Sequence, residues 1–307
     1  MDGGSNGLLS NDCGVNPDVC NATMVHANYC DGASFAGHRD APINASGTDL
    51  FFRGRDILDA TLSAMLADEG LASATALVVK GCSAGGLATI INVDRIAEVV
   101  RAAVPGIAVV GLPDAGYFLD HNNTVGAPTW TPLYEWVSAA QNVTPSLDGG
   151  CVQHYAPSGE EWRCFLAQYV APFVTTPCFF AQDLVDSWQL TNIFELPCKP
   201  YAGKGDCSPA QLALVDGYYT DTLAALAPVL TSPIHGGFIT ACVQHCHSNI
   251  DFCFDSELVE GQSLRETFGA WFANTTRGVN VPAGLKTTVV DARGLSNPTC
   301  TSSCSPY

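Results

Sequence analysis

The stretch Thr75-Ala-Leu-Val-Val-Lys-Gly-Cys-Ser-Ala-Gly-Gly86 constrains the fold more than any other part of the chain. An apolar run breaks at small residues and resumes with helical spacing, which reads as strand, tight turn, helix. Gly81, Ser83 and Gly85 match G-x-S-x-G, the nucleophile elbow, in which a serine takes a strained backbone conformation and bare neighbours let strand and helix approach. Leu77, Val78 and Val79 lead in as a buried strand, and Leu87, Ile90, Ile91, Ile96, Val99 and Val100 follow on one helical face. Ser83 is the candidate nucleophile. The plain alternative, a glycine-rich turn with an ordinary serine, does not require those flanking patterns.

The rest of the chain extends the alternation. Residues 1–28 are rich in Gly, Asn, Asp and Ser, carry Cys13 and Cys20 as loop staples, and predict no regular structure. Val25 to Phe35 reads as a short strand ending in a polar turn. Ile57, Leu58, Leu62, Met65 and Leu66 predict a helix stopped by Gly70. Ile107–Leu112, Cys178–Gln182 and Gly236–Cys242 read as further strands, the third as the last of the chain. Ser208 with Gln211 and Ser263 with Glu266 are capping boxes that open helices. The stretch 122–160 is loop-rich and reads as a lid or surface insertion. Without a repeat or a dividing linker, the prediction is one α/β domain over 1–307: a mostly parallel sheet with helices on both faces, of the α/β-hydrolase type.

With 307 residues the chain can bury a full core, and no apolar run is long enough to span a bilayer. A formal net charge of −17 opposes nucleic acid and anionic membranes as partners. Fourteen cysteines suit an oxidising compartment, and sequons at Asn21, Asn44, Asn122, Asn142 and Asn274 point the same way. Secretion is the expectation, although the chain carries no signal peptide of its own.

Chemistry in such sheets sits at the carboxyl ends of the strands. A serine needs an imidazole to take its proton and a carboxylate to hold the imidazole's tautomer. Ser83, Asp186 and His245 lie just past predicted strand ends in the order Ser, Asp, His of α/β-hydrolases. Asp183 and Asp114 compete with Asp186 as the acid, and any of the three could be a helix cap or a solvated loop carboxylate. His247 competes with His245 as the base, whereas His235 precedes its strand and lies at the wrong end. Cys242, His245, Cys246, His247 and Cys253 have spacing that a zinc site could use, but among so many cysteines disulfides are the better reading, and no metal or other cofactor is expected. Cys82 reads as a buried thiol, and setting it aside leaves an odd number of cysteines.

Tyr29-Cys-Asp-Gly-Ala-Ser-Phe35, Gly81-Cys-Ser-Ala-Gly-Gly-Leu87, Asp186-Ser-Trp-Gln189 and Cys242-Val-Gln-His-Cys246 together resemble the pectin acetylesterase family, which includes the Notum carboxylesterases. The likeness runs from about Leu8 to Cys300 and is to the plant and microbial polysaccharide-esterase branch. It implies Ser83 as nucleophile, Asp186 as acid, His245 as base and Ala84 as an oxyanion amide, with Asp31, Gly32 and Trp188 near the substrate. It also implies a secreted serine esterase that removes acetyl groups from cell-wall polysaccharide such as pectin. In one respect the chain departs from the family: the Gly-Gly-Gly-Trp-Cys type of segment that supplies further oxyanion amides is absent. From this we expect a chain incomplete at its N-terminus, with the elbow strand's outer edge unpaired, paired with the Tyr29 strand or covered by residues 1–28, and so a gap or an abnormal pairing beside Leu77, Val78 and Val79. The competing expectation is an impaired or non-catalytic glycan-binding homologue, or a truncated chain.

Overall fold

The structure is a computed structural model that describes residues 7–200 and 205–291. In chain order the elements are β1 (Ile43–Ala45), β2 (Thr48–Leu50), α1 (Gly54–Ala67), β3 (Ala76–Cys82), α2 (Ala84–Ala103), β4 (Ala108–Asp114), α3 (Thr131–Gln141), α4 (Gly149–Tyr155), α5 (Ala167–Val170), β5 (Phe179–Asp183), α6 (Ser187–Asn192), α7 (Pro209–Leu230), β6 (Gly236–Thr240), α8 (Asp251–Ser256), α9 (Leu264–Arg277) and β7 (Thr288–Val290). β1 and β2 form a small antiparallel hairpin. The other five strands make one all-parallel sheet whose spatial order follows the chain, β3-β4-β5-β6-β7.

Alternation along each strand divides the core into two layers, because successive side chains leave opposite faces of a sheet. Val110, Leu112, Phe179, Ala181, Phe238 and Val289 meet Leu264, Phe268, Trp271 and Phe272 of α9 on one face. On the other, Phe180 and Ile239 pack with Leu87, Ile90, Ile91 and Val93 of α2 and with Val215, Tyr218, Leu226 and Val229 of α7. The predicted helices on both faces are present, and both predicted capping boxes form, at Ser208 and Ser263.

Several sequence expectations require correction. Val25 to Phe35 forms no strand. Met24, Val25 and Tyr29 are exposed, and Ser34 and Phe35 take positive φ of 52° and 58°, with the Tyr29 hydroxyl accepting from Ser34 N and Asp31 from Phe35 N. Local side-chain bonds there win over strand propensity. The stretch 122–160 is less loop-rich than expected: it holds α3 and α4, and Val143, Leu147 and Cys151 are buried in the main core. The Gly236 strand is followed by another, β7, whose three residues are too few to show a period.

Cys82 is no free thiol. It is bonded to Cys246, so the odd count built on setting it aside has no basis. Further disulfides join Cys13 to Cys20, Cys151 to Cys164 and Cys198 to Cys207, and Cys242 and Cys253 are also disulfide-bonded. Among the described residues Cys30 and Cys178 are free.

β3 pairs with β4 alone among the described residues, and all of its side chains are half-buried. The elbow strand is the edge of the sheet.

Candidate active site

Ser83 sits between β3 and α2 at φ 60°, ψ −123°, a conformation that L-residues rarely adopt. Its N–H donates to the Asp114 carbonyl at 2.9 Å, which fixes the elbow to the end of β4. A Cβ on Gly81 would lie 2.1 Å from the Gly85 carbonyl oxygen, and one on Gly86 would lie 2.6 Å from the Asp114 carbonyl oxygen. A Cβ on Gly85 meets nothing within 4 Å. The glycines that let strand and helix approach are therefore Gly81 and Gly86.

Asp186 follows β5 and is fully buried. One carboxylate oxygen caps α6 by accepting from Gln189 N at 2.9 Å, and the other lies 2.7 Å from His245 Nδ1. One oxygen thus serves the helix cap while the other faces the imidazole. His245 lies in the segment after β6, and one of its ring nitrogens is within 4.8 Å of both Cys82 and Cys246 sulfurs, which puts the imidazole beside the elbow. Burial pulls the His245 pKa down, but the hydrogen bond and charge of Asp186, helped by Asp114, outweigh it and hold the pKa above its usual value.

The competing residues have other work. Asp114, wholly buried, accepts from His247 N at 3.2 Å, from Ser248 N at 2.9 Å and from the Ser248 hydroxyl, so it anchors the segment that carries His245. His247 is buried, with Nε2 3.1 Å from both Asp183 and Glu257. Burial alone would lower its pKa, yet Asp183, Glu257 and Asp114 together raise it to about 10. Asp183 is also raised, by burial first and then by the neighbouring carboxylates. His247 is a buried cation among acids. Lys80 of β3 donates to Asn249, its pKa lowered by burial against the pull of Asp114.

Ala84 is the first residue of α2, so its amide belongs to a helix N-terminus, where donors and dipole favour negative charge. Trp188 stacks on His245 at 6.3 Å and meets Phe118 and Trp130, each at 5.2 Å, which gives the base an aromatic wall. Ser34 Oγ donates to the Ala84 carbonyl at 3.3 Å and so brings the Asp31–Phe35 turn against the elbow. Within that turn Asp31 is buried, accepts from Phe35 N and packs against Gly54, which is a structural use, while Gly32 is exposed at φ 75°. Of the cysteines in the zinc-like spacing, Cys242, Cys246 and Cys253 are all in disulfides and carry no thiolate.

Lys80, Glu257 and the Cys82–Cys246 bond escaped the sequence reading. The bond left a signal: if Ser83 and His245 must meet, the cysteines adjoining each must meet as well.

A parallel α/β sheet with a serine elbow and a buried Asp–His pair at its strand ends defines the α/β-hydrolase class. A family model described as Pectinacetylesterase matches residues 2–301, and the chain belongs to the pectin acetylesterase family. It is similar to pectin acetylesterase 11 of Arabidopsis thaliana, with 31% identity over 97% of this chain and 75% of that protein. It is also similar to the human palmitoleoyl-protein carboxylesterase NOTUM, with 34% identity over 60% of this chain and 38% of that protein. Among solved structures, the Wnt deacylase Notum from Drosophila shares the fold, with TM-score 0.79 and 23% identity over 97% of this chain and 79% of that one.

Proposed function

We propose that the protein is a secreted serine carboxylesterase that removes acetyl groups from a cell-wall polysaccharide such as pectin. The observation that carries the chemistry is the buried Asp186–His245 contact of 2.7 Å held beside a serine in elbow geometry. Ser83 Oγ attacks the acetyl carbonyl as His245 takes its proton, and Asp186 stabilises the imidazolium. Negative charge on the tetrahedral oxygen is met by the Ala84 amide at the α2 N-terminus. His245 then protonates the departing sugar oxygen, which leaves as the free hydroxyl, and water, activated by the same imidazole, releases acetate from the acyl-serine.

Support for the substrate class comes from the family and from relatives such as pectin acetylesterase 11. Disulfides and the exposure of all five sequon asparagines, Asn21, Asn44, Asn122, Asn142 and Asn274, support secretion and glycosylation. A second reading, glycan binding without turnover, is favoured by the place of β3 at the sheet's edge, where among the described residues it pairs with β4 alone. Acetate release from acetylated pectin, xylan and mannan, beside hydrolysis of a small acetyl ester, separates the two. Turnover by the wild type that Ser83→Ala lacks is the expected result; turnover that survives Ser83→Ala overturns the mechanism.

A further inference from the structure

We propose that the Cys82–Cys246 disulfide positions the catalytic base, tying His245 to the strand that carries Ser83, and that its reduction by a small dithiol lowers kcat while leaving substrate binding in place. The inference rests on the serine-esterase reading above.

The bond joins the residue before the nucleophile to the residue after the base, with its Cα atoms 5.6 Å apart and 164 positions between them in sequence. His245 has no ladder to hold it: β6 ends at Thr240, and the chain makes no strand or helix until the short turn His247–Asn249. The hydrogen bonds that fix this segment lead to the β4 and β5 side of the site. Gln244 O accepts from Ser187 N at 2.9 Å, Asp186 takes the His245 ring, and Asp114 takes the His247 and Ser248 amides. These contacts place the imidazole directly on β4, β5 and α6 and reach β3, which supplies Ser83, only through the β4 ladder and the Asp114 carbonyl; among the described residues β3 is paired on that one side alone.

The disulfide and the Lys80–Asn249 hydrogen bond make the direct connection to β3, and the disulfide does so at the residues that adjoin the reacting groups. Cys246 is held at φ 69°, a left-handed conformation that costs an L-residue strain, so the backbone gains by relaxing once the bond is cut. Cys82 is half-buried, in contrast to the wholly buried Cys151 and Cys164, and its sulfur is the one open to attack.

In the reaction a dithiol's thiolate attacks one sulfur to give a mixed disulfide, and its second thiol closes the ring. Two electrons and two protons pass to Cys82 and Cys246, and the dithiol leaves as its cyclic disulfide. Loss of alignment between base and nucleophile lowers kcat, since a displacement of about 1 Å costs about a hundredfold.

The test is a graded reduction of the whole protein with dithiothreitol. Reduced thiols are trapped by iodoacetamide and located by peptide mass spectrometry, while kcat and KM are measured on a small acetyl ester and amide hydrogen exchange is followed over 241–249. We expect kcat to fall about a hundredfold in step with alkylation of Cys82 and Cys246, KM to stay within about twofold, and reoxidation to restore the rate. Cys82→Ser/Cys246→Ser should start at the lowered kcat and ignore dithiothreitol. Undiminished kcat with both cysteines alkylated, or a folded double variant with wild-type kcat, overturns the proposal. If the double variant does not fold, the wild-type titration decides alone. A wild type without any ester turnover would overturn the esterase reading; hydrogen exchange then decides the tether, faster exchange over 241–249 on reduction supporting it and unchanged exchange overturning it.

Discussion

Asp186 divides its carboxylate between a helix cap and the imidazole, and a single substitution can separate the two duties. In Asp186→Asn the amide oxygen can still accept from Gln189 N, so the fold should persist by circular dichroism and thermal melting. Only the amide NH2 is then left to face Nδ1, and the wrong tautomer should lower kcat about 10⁴-fold. A variant that keeps its activity would remove Asp186 from the mechanism. His247 tests a different property. It faces Asp183 and Glu257 directly, with Asp114, Asp186, His245 and Lys80 in the same cluster. Removing one member of a buried ion pair costs about 3–5 kcal/mol, so His247→Gln should lower Tm sharply. Because the folded pKa is raised from 6.5 to about 10, the folded state holds the extra proton between those values. The stability that His247 contributes is complete below about 6.5 and lost as pH rises toward about 10. Tm of the wild type should therefore decline across that window, and His247→Gln should lack that part of the decline. Equal slopes for the two proteins would show that His247 is not the group responsible.

The elbow was legible as an element because each of its parts has a local cause: an apolar strand, bare residues at a strained turn, an apolar helical face. Those causes do not say which glycines are indispensable. Cβ contacts predict that Gly81→Ala, driven into the Gly85 carbonyl, lowers Tm markedly, whereas Gly85→Ala leaves it within about 1 °C to 2 °C, as surface changes of a few tenths of a kcal/mol do. Similar losses in both variants would contradict the packing seen here. The capping boxes at Ser208 and Ser263 were readable for the same reason, each being closed within four residues. What could not be read depends on distant partners. β7 exists because β6 offers it a ladder, and the Val25–Phe35 run fails as a strand because side-chain bonds from Tyr29 and Asp31 turn the chain. Asp183, Asp114 and Asp186 have similar local settings; only the fold assigns the first to His247, the second to the amides after it and the third to His245. The triad's order was visible along the chain, while its supporting cluster joins Lys80 to residues from Asp114 to Glu257 and had no local signature.

At the scale of the molecule, a net charge of −17 sets the conditions under which an anionic glycan can approach. Unesterified pectin is itself a polyanion, so its encounter with this protein should be repulsive and should strengthen as salt is lowered. Acetate release from de-methylated acetylated pectin should rise as salt increases, while release from a neutral acetylated glycan should change little. Faster turnover of the de-methylated substrate at low salt would mean that a local basic surface overrides the global field. The sheet has another property whose effect reaches beyond the finished protein. Its strands lie side by side in the order in which they occur in the chain. A polypeptide leaves the ribosome N-terminus first, at about 5–20 residues per second, so each strand after β3 emerges when the neighbour it will join is already outside. Ser83 is made early and Asp186 later, but His245 follows β6 and waits on most of the chain. A nascent chain halted after α6 holds Ser83 and Asp186 without His245, and the three groups can assemble only as translation nears its end.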